Sequence, residues 1–396
     1  IRRAGACLKA GSPQGRKTFM TMLLLISLAT AVLSFGACAL TLYAARELRL
    51  GADESDGRQK IHDHWVPRLG GVPIAVASFV GVMAWAWYTH PTFTLLATSL
   101  IVCSLPIFTA GLLEDLTRRV SPALRLWVAF VSAALAFWLL EARMLRVDIP
   151  ALDLLLNAYT VFSLLVTLVA VGGVAHATNI IDGCNGLAGG VCVIALCAIA
   201  AIAAQAGDPF VGASALILAA ATMGFLFWNF PNGRIFLGDA GAYMLGCLMA
   251  ILSLMLVVRN PEVSPWSLLL VLIYPVWETL FSMFRRGRHQ LSSISQPDAL
   301  HLHQLIMRRM VRRYGVRPSG SAKVWRNART SPYLWLLAGL SAVPAVVFWD
   351  STLMALLFCA MFMVTYGLSY RAVVTFRVPR LLVQAPREIE SLREAP

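Results

Sequence analysis

The chain has 396 residues, of which 58% are hydrophobic and only 13% charged, and its mean hydropathy is +0.71. Soluble domains carry roughly 25% charged residues, so this composition excludes a soluble globular enzyme and requires an all-α polytopic membrane bundle. The formal charge of +13 is gathered into a few connecting segments, a pattern that orients spans in a lipid bilayer and points to no nucleic-acid partner.

Eleven apolar runs are long enough to cross about 30 Å of hydrocarbon, at around 20 residues each. In chain order they cover 20–43, 70–89, 92–113, 122–142, 154–175, 187–204, 209–230, 240–258, 264–284, 332–349 and 351–370. They form a single integral-membrane domain over 20–370, with its longest connection at 285–331 and a tail over 371–396. One alternating set of connections, at 44–69, 114–125, 176–186, 229–239, 285–331 and 371–396, holds 25 Lys and Arg residues, whereas the opposite set holds only Arg143, Arg146 and Arg259. The positive-inside rule therefore places the 25-charge face and the tail in the cytoplasm. The segment 1–19 opposes this orientation with five basic residues and does not begin with methionine. It reads as upstream or non-native sequence, with Met20 or Met22 as the natural start. Eight cysteines are scattered through the spans without a CxxC or Cys/His spacing, which excludes a zinc site or redox pair built on them.

The few polar residues at membrane depth sit where apolar runs end, all toward the cytoplasmic face. A carboxylate at a helix centre in hydrocarbon costs roughly 2.5–3.5 kcal/mol, so such a set points to chemistry. Lys60, His62 and the run Pro67-Arg68-Leu-Gly-Gly71 form a basic strip before the second span, suited either to a lipid phosphate or to locking the topology. Glu114 and Asp115 end the third span and offer the hard oxygen ligands that Mg²⁺ prefers. Residues 179–190 read N-I-I-D-G-C-N-G-L-A-G-G. This turn-rich segment lets Asn179, Asp182 and Asn185 point into one small volume, ahead of a helix N-terminus that favours an anion. A capped turn between helices is the other reading. Asp239, in F-L-G-D-A-G from Phe236, can reach a metal or N-cap its own helix, and Phe236 serves either the core or a planar base. Glu278, in the ninth run, is the residue most like a transporter's; about two turns from Arg285, it pairs there or shapes the site. His301 and His303 are two residues apart, not the i, i+4 spacing of a helical zinc site, and suit phosphate oxygens. Leu302, Leu305, Ile306, Met310 and Tyr314 recur at helical spacing opposite Arg308, Arg309, Arg312 and Arg313, the signature of an interfacial amphipathic helix.

Taken together, K-x-H-x4-P-R-x-G-G, an acidic pair, N-x-x-D-G-x-N-G-L, F-x-G-D-x-G and H-x-H, in this order over residues 58 to about 310, resemble the polyprenyl-phosphate N-acetylhexosamine-1-phosphate transferases. The resemblance implies ten or eleven transmembrane helices and an active site on the cytoplasmic side of the bacterial inner membrane. It also implies Mg²⁺, with Mn²⁺ as a substitute, a UDP-N-acetylhexosamine donor and a polyprenyl acceptor such as undecaprenyl phosphate. On that pattern Asp115, Glu114 and Asp182 are the catalytic candidates, and Asp239, Asn179 and Asp115 the metal candidates. Asn179, Asn185, Phe236, His301, His303, Lys60, His62 and Arg68 are the substrate candidates. Three positions depart from the usual pattern: Glu114 replaces the first Asp of the pair, Asn185 stands where many bacterial members have Asp, and Gln304 replaces a third histidine.

The expected reaction is transfer of an N-acetylhexosamine 1-phosphate to the lipid phosphate with release of UMP, the first step of O-antigen or other surface polysaccharide synthesis. The muramoyl-pentapeptide branch of peptidoglycan synthesis is the enzymatic alternative. A secondary transporter is the rival of another class. It predicts midplane sites in related halves, whereas the polar groups here gather at one face. The sequence leaves the sugar and a homodimer open.

Overall fold

The computed structural model describes residues 13–48, 66–289, 300–309 and 321–375. These residues form fifteen helices: α1 Pro13–Leu48, α2 Gly71–Thr89, α3 Pro91–Thr117, α4 Pro122–Leu139, α5 Pro150–Ala158, α6 Thr160–Ile180, α7 Leu187–Ala206, α8 Pro209–Asn229, α9 Gly238–Arg259, α10 Pro265–Val271, α11 Ile273–His289, α12 Leu302–Arg309, α13 Ser321–Ala328, α14 Ser331–Val347 and α15 Thr352–Val374. Many starts are local chemistry. Proline opens α3, α4, α5, α8 and α10, where its missing N–H has no helical partner to lose. Side chains of His90, Ser121, Asp208 and Ser264 cap four of these helices.

Ten helical segments have the length and apolarity of a membrane span, and α10 with α11 has them only as a pair bent by 78°, a broken span or a re-entrant loop. The apolar run at 264–284 thus becomes a broken element. Pro275 explains the break: it has no N–H for the carbonyl of Val271, and its ring collides with that carbonyl in a straight helix. The fifth run is also redivided. Tyr159 is extended, at φ −122° and ψ 101°, so residues 150–158 form the separate α5 and the span proper begins at Thr160.

The bundle is built around α9. Within the protein, 94% of its apolar window is buried, against 28% for α1 and 22% for α15. The outer helices therefore turn large apolar side chains such as Leu28, Leu165 and Leu357 outward, toward the lipid such a surface requires. Close packing around α9 needs small residues. A Cβ on Gly71 would lie 2.7 Å from the Cα of Gly241, and one on Gly111 would lie 2.6 Å from the Cα of Ala240, so α2 and α3 both touch the first turn of α9 backbone to backbone.

Helix α12 departs from the interfacial reading. Its apolar residues Leu302, Leu305 and Ile306 are 1%, 2% and 6% exposed, so their periodicity records docking onto the protein. Arg309 reaches back to the carbonyls of Val373 and Val374. Met310, Arg312, Arg313 and Tyr314 lie outside the described residues, as do Lys60 and His62.

Candidate active site

Three chain segments converge on the N-terminus of α9. The strip before α2 pairs with the segment before α9 through main-chain bonds: Phe236 N–H to Pro67, Gly70 N–H to Phe236 and Gly71 N–H to Leu237, each 2.9 Å. The two motifs P-R-x-G-G and F-x-G-D are thus one structural unit. Asp115 completes it from the end of α3. Its Oδ1 accepts the N–H of Asp239 and its Oδ2 the N–H of Ala240, both at 2.9 Å, and the residue is 3% exposed. The sequence allows Asp239 to cap its own helix; instead Asp115, 124 residues earlier, takes the cap. This satisfies amides that a helix start otherwise leaves without partners.

Relieved of capping, the Asp239 carboxylate faces two guanidinium groups. Arg68 Nη2 lies 3.4 Å from Oδ1, and Arg125 Nη1 bonds Oδ2. Arg68 Nε is also 3.8 Å from Asp115. Arg125 comes from the first turn of α4 and lies over the ring of Tyr243, 5.7 Å from its centroid. Asn179, in the last turn of α6, lies close to the Tyr243 hydroxyl, and the edge of His176 meets the tyrosine ring at 4.8 Å between centroids. Asp182 stands across from these groups in the loop after α6. Burial pushes its carboxyl up to about 7, partly offset by the Arg68 charge. Three carboxylates, two guanidiniums and an amide thus share one end of α9.

The loop carrying Asp182 is held from outside. The N–H of Asn185 bonds Asn327 at 2.6 Å, its carbonyl accepts from Ser331 at 2.6 Å, and its side-chain amide donates to Pro231 at 3.1 Å. Gly186 N–H bonds Asn229 at 2.5 Å, and its carbonyl accepts from Trp335 at 3.0 Å. On the other side lies His303, 2% exposed, whose ring sits so close to Gly183 that a Cβ there would be 2.8 Å from Cδ2.

Residues 97–257 match the family described as Glycosyl transferase family 4. A Bacillus subtilis (strain 168) protein described as a probable undecaprenyl-phosphate N-acetylglucosaminyl 1-phosphate transferase is 30% identical over 66% of this chain and 71% of its own length. A phospho-N-acetylmuramoyl-pentapeptide-transferase of Streptococcus thermophilus (strain ATCC BAA-250 / LMG 18311) is 24% identical over 82% of this chain and 96% of its own. An undecaprenyl-phosphate alpha-N-acetylglucosaminyl 1-phosphate transferase of Yersinia pestis is 25% identical over 67% and 73%.

The chain belongs to glycosyl transferase family 4.

Within this family 4 transferase the structure places Asp115, Asp182, Asp239, Asn179 and Arg68 at one end of the bundle. Glu114 is turned aside: its Oε2 accepts the N–H of Val120 at 2.8 Å and closes the turn between α3 and α4. The Asn185 side chain is occupied with the Pro231 carbonyl. Phe236 is half-buried beside the cluster. Arg125 and Tyr243 are the additions. Tyr243 follows Asp239 by four residues on α9 and so shares its face, a signal that was legible. Arg125 counted only toward topology, although it stands one turn into a Ser-Pro-capped helix next to the acidic pair.

The donor chemistry of the cluster fits Mg²⁺, which takes hard oxygens and commonly binds through one or two carboxylates plus substrate phosphates. Among the described residues no group of three or more His, Cys, Asp or Glu side chains is placed to hold a metal ion. Any cation at Asp239 must therefore share its carboxylate with Arg68 and Arg125.

Proposed function

We propose that this transferase moves an N-acetylhexosamine 1-phosphate from a UDP-sugar to a polyprenyl phosphate at the cytoplasmic face of a bacterial inner membrane. A lipid phosphate oxygen attacks the β-phosphorus of the donor, the anhydride bond to the α-phosphate breaks, and UMP leaves with that bridging oxygen. The products are UMP and a lipid-diphosphate-sugar. The observation that carries the reading is the gathering of Arg68 and Arg125 on Asp239, beside Asp115 and Asp182 at the polar end of a family 4 bundle. Two anionic reactants must meet, and phosphoryl transfer is helped chiefly by positioning and by charge placed where charge develops.

The chain's own groups divide the work. Arg68 and Arg125 supply positive charge to the phosphate oxygens. Asp115 acts as a positioning residue: each of its oxygens already accepts a main-chain amide of α9, which fixes the direction of Asp239. Asp239, with Asp182 and Asn179 close by, would hold Mg²⁺ or Mn²⁺, and the ion would neutralise diphosphate charge. His303, against Gly183 of the Asp182 loop, and His301, stacked on it, bind phosphate, and Phe236 offers a platform for uracil.

The test is UMP release by the purified protein with undecaprenyl phosphate and a panel of UDP-N-acetylhexosamines, with Mg²⁺ and with chelator. Chelator-sensitive release with a single UDP-N-acetylhexosamine is the expected result and assigns the protein to the start of O-antigen or another surface polysaccharide. Release only with the UDP-muramoyl-pentapeptide would move it to the peptidoglycan branch, which the Streptococcus relative's near-complete coverage makes the second reading. Release that persists undiminished in chelator would remove the metal from the mechanism.

A further inference from the structure

A further buried acid lies at the same end of the bundle, outside the carboxylate cluster. Glu278, on α11, is 1% exposed and pairs with none of the cluster's arginines. Both its oxygens are engaged instead. Oε1 meets Nδ1 of His301 at 3.0 Å and the N–H of Leu302 at 3.1 Å, and Oε2 accepts the Tyr366 hydroxyl at 2.7 Å. Three elements, α11, the start of α12 and α15, therefore meet on one carboxylate. The sequence offers Glu278 either a pair with Arg285 or a part in shaping the site; the structure gives it a histidine, an amide and a phenol.

The polarity of this hub settles the imidazole. An ionised carboxylate only accepts hydrogen bonds, and a buried one is tolerated where its lone pairs are filled by donors. The Leu302 amide and the Tyr366 hydroxyl bring two hydrogens, so the ring nitrogen against Oε1 brings the third. His301 is then protonated at Nδ1, and the partner of one ring nitrogen sets the role of the other. The row continues into the active site. The rings of His301 and His303 are stacked at 5.6 Å and 6°, and His303 abuts Gly183, next to Asp182.

The geometry points to Glu278 as a positioning residue of the donor site: it holds His301 through Nδ1–H and so makes Nε2 the ring atom turned toward a phosphate oxygen of the nucleotide. This assignment rests on the transferase reading only for the identity of the anion. Tyr366, on the last described helix, supports it by holding the far oxygen of Glu278.

The test uses the full-length protein with ¹⁵N-labelled histidine, the resonances of His301 being identified by their loss in His301→Gln. In the wild type the expected spectrum has Nδ1 protonated. In Glu278→Leu the ring should move to the Nε2–H form that free neutral imidazole prefers, with UMP binding weakened about 10-fold. Glu278→Gln, which keeps an acceptor, should retain the Nδ1–H form and bind UMP within about threefold of wild type. Tyr366→Phe should also keep the tautomer. A wild-type His301 protonated at Nε2 overturns the proposal even if neither Glu278 variant folds, and so does a Glu278→Leu protein that folds, retains the Nδ1–H ring and binds UMP normally. Absence of UMP binding in the wild type strikes the donor-site reading instead, and the histidine spectrum still decides the role of Glu278.

Discussion

The two ends of the bundle use similar residues to opposite effect. At the far end, Asp208 caps α8 through the N–H of Val211 at 3.0 Å and lies 3.5 Å from Arg259. There Arg146 donates to the carbonyls of Pro261 and Val263 and pairs with Asp148 at 3.4 Å. Each acid serves its own helix or its neighbour in the same corner, and the charges roughly cancel. At the site end, Asp115 caps a helix 124 residues away, which leaves the Asp239 carboxylate to gather two arginines from separate elements. A charge used for structure sits with one partner and satisfies it. A charge kept for chemistry is held in place by a neighbour that does the structural work in its stead.

The sharpest way to break this comparison is to neutralise one acid at each end. Asp239→Asn should lower UMP release by about 1,000-fold or more, while Asp208→Asn should change the rate per folded molecule by less than about twofold. The latter should instead cost about 1–3 kcal/mol of stability in detergent, read as a lower melting temperature. Equal rate losses at both ends would erase the distinction.

Next in size is the approach of α3 to α9. Gly111→Ala places a methyl against the backbone of Ala240 and must push the first turn of α9 from its seat, so activity should fall about 100-fold through misplacement of Asp239. A rate within a factor of three would mean that the turn has room to shift without consequence. Arg125→Gln should follow at about 10-fold, since Arg68 still faces Asp239; Arg259→Gln, its far-end counterpart, should leave the rate alone. An unchanged rate in Arg125→Gln would return Arg125 to topology.

The smallest effect is a pH slope. Burial raises the Asp182 carboxyl from its ordinary value of 3.8 to about 7, so between those values the folded protein keeps a proton that the unfolded chain releases. Stability then falls as pH rises through that window, and Asp182→Asn should flatten the fall in melting temperature between pH 5 and 7. An identical slope in wild type and variant would mean that Asp182 ionises as it does in the unfolded chain.

Much of the fold was legible because hydrocarbon imposes long apolar runs and proline marks helix starts. Eleven runs were readable; what hydropathy alone does not convey is that the ninth bends at Leu272, because a window average is blind to the carbonyl that Pro275 obstructs. The apolar spacing of α12 was also legible but ambiguous, since a helix docked on protein and one lying in lipid carry the same periodicity. At the site, Asp115, Asp182 and Asp239 announce themselves as charges at the ends of apolar runs. Asn229 and Asn327, which hold the loop through Gly186 and Asn185, have no local signal, because each is an ordinary polar residue near a helix end.

What the sequence determined by itself is therefore the kind of solvent each segment needs, the end at which the costly charges collect and the residue types available there. Only the tertiary structure decided who serves whom: Asp115 as the cap of α9, Arg125 on Asp239, Glu278 on His301. The physical reason is range. Hydropathy, helix starts and turn chemistry act within a few residues along the chain. A hydrogen bond or ion pair depends on separations of about 3 Å in space, and for Arg125 and Asp239 that closeness spans 114 residues of sequence.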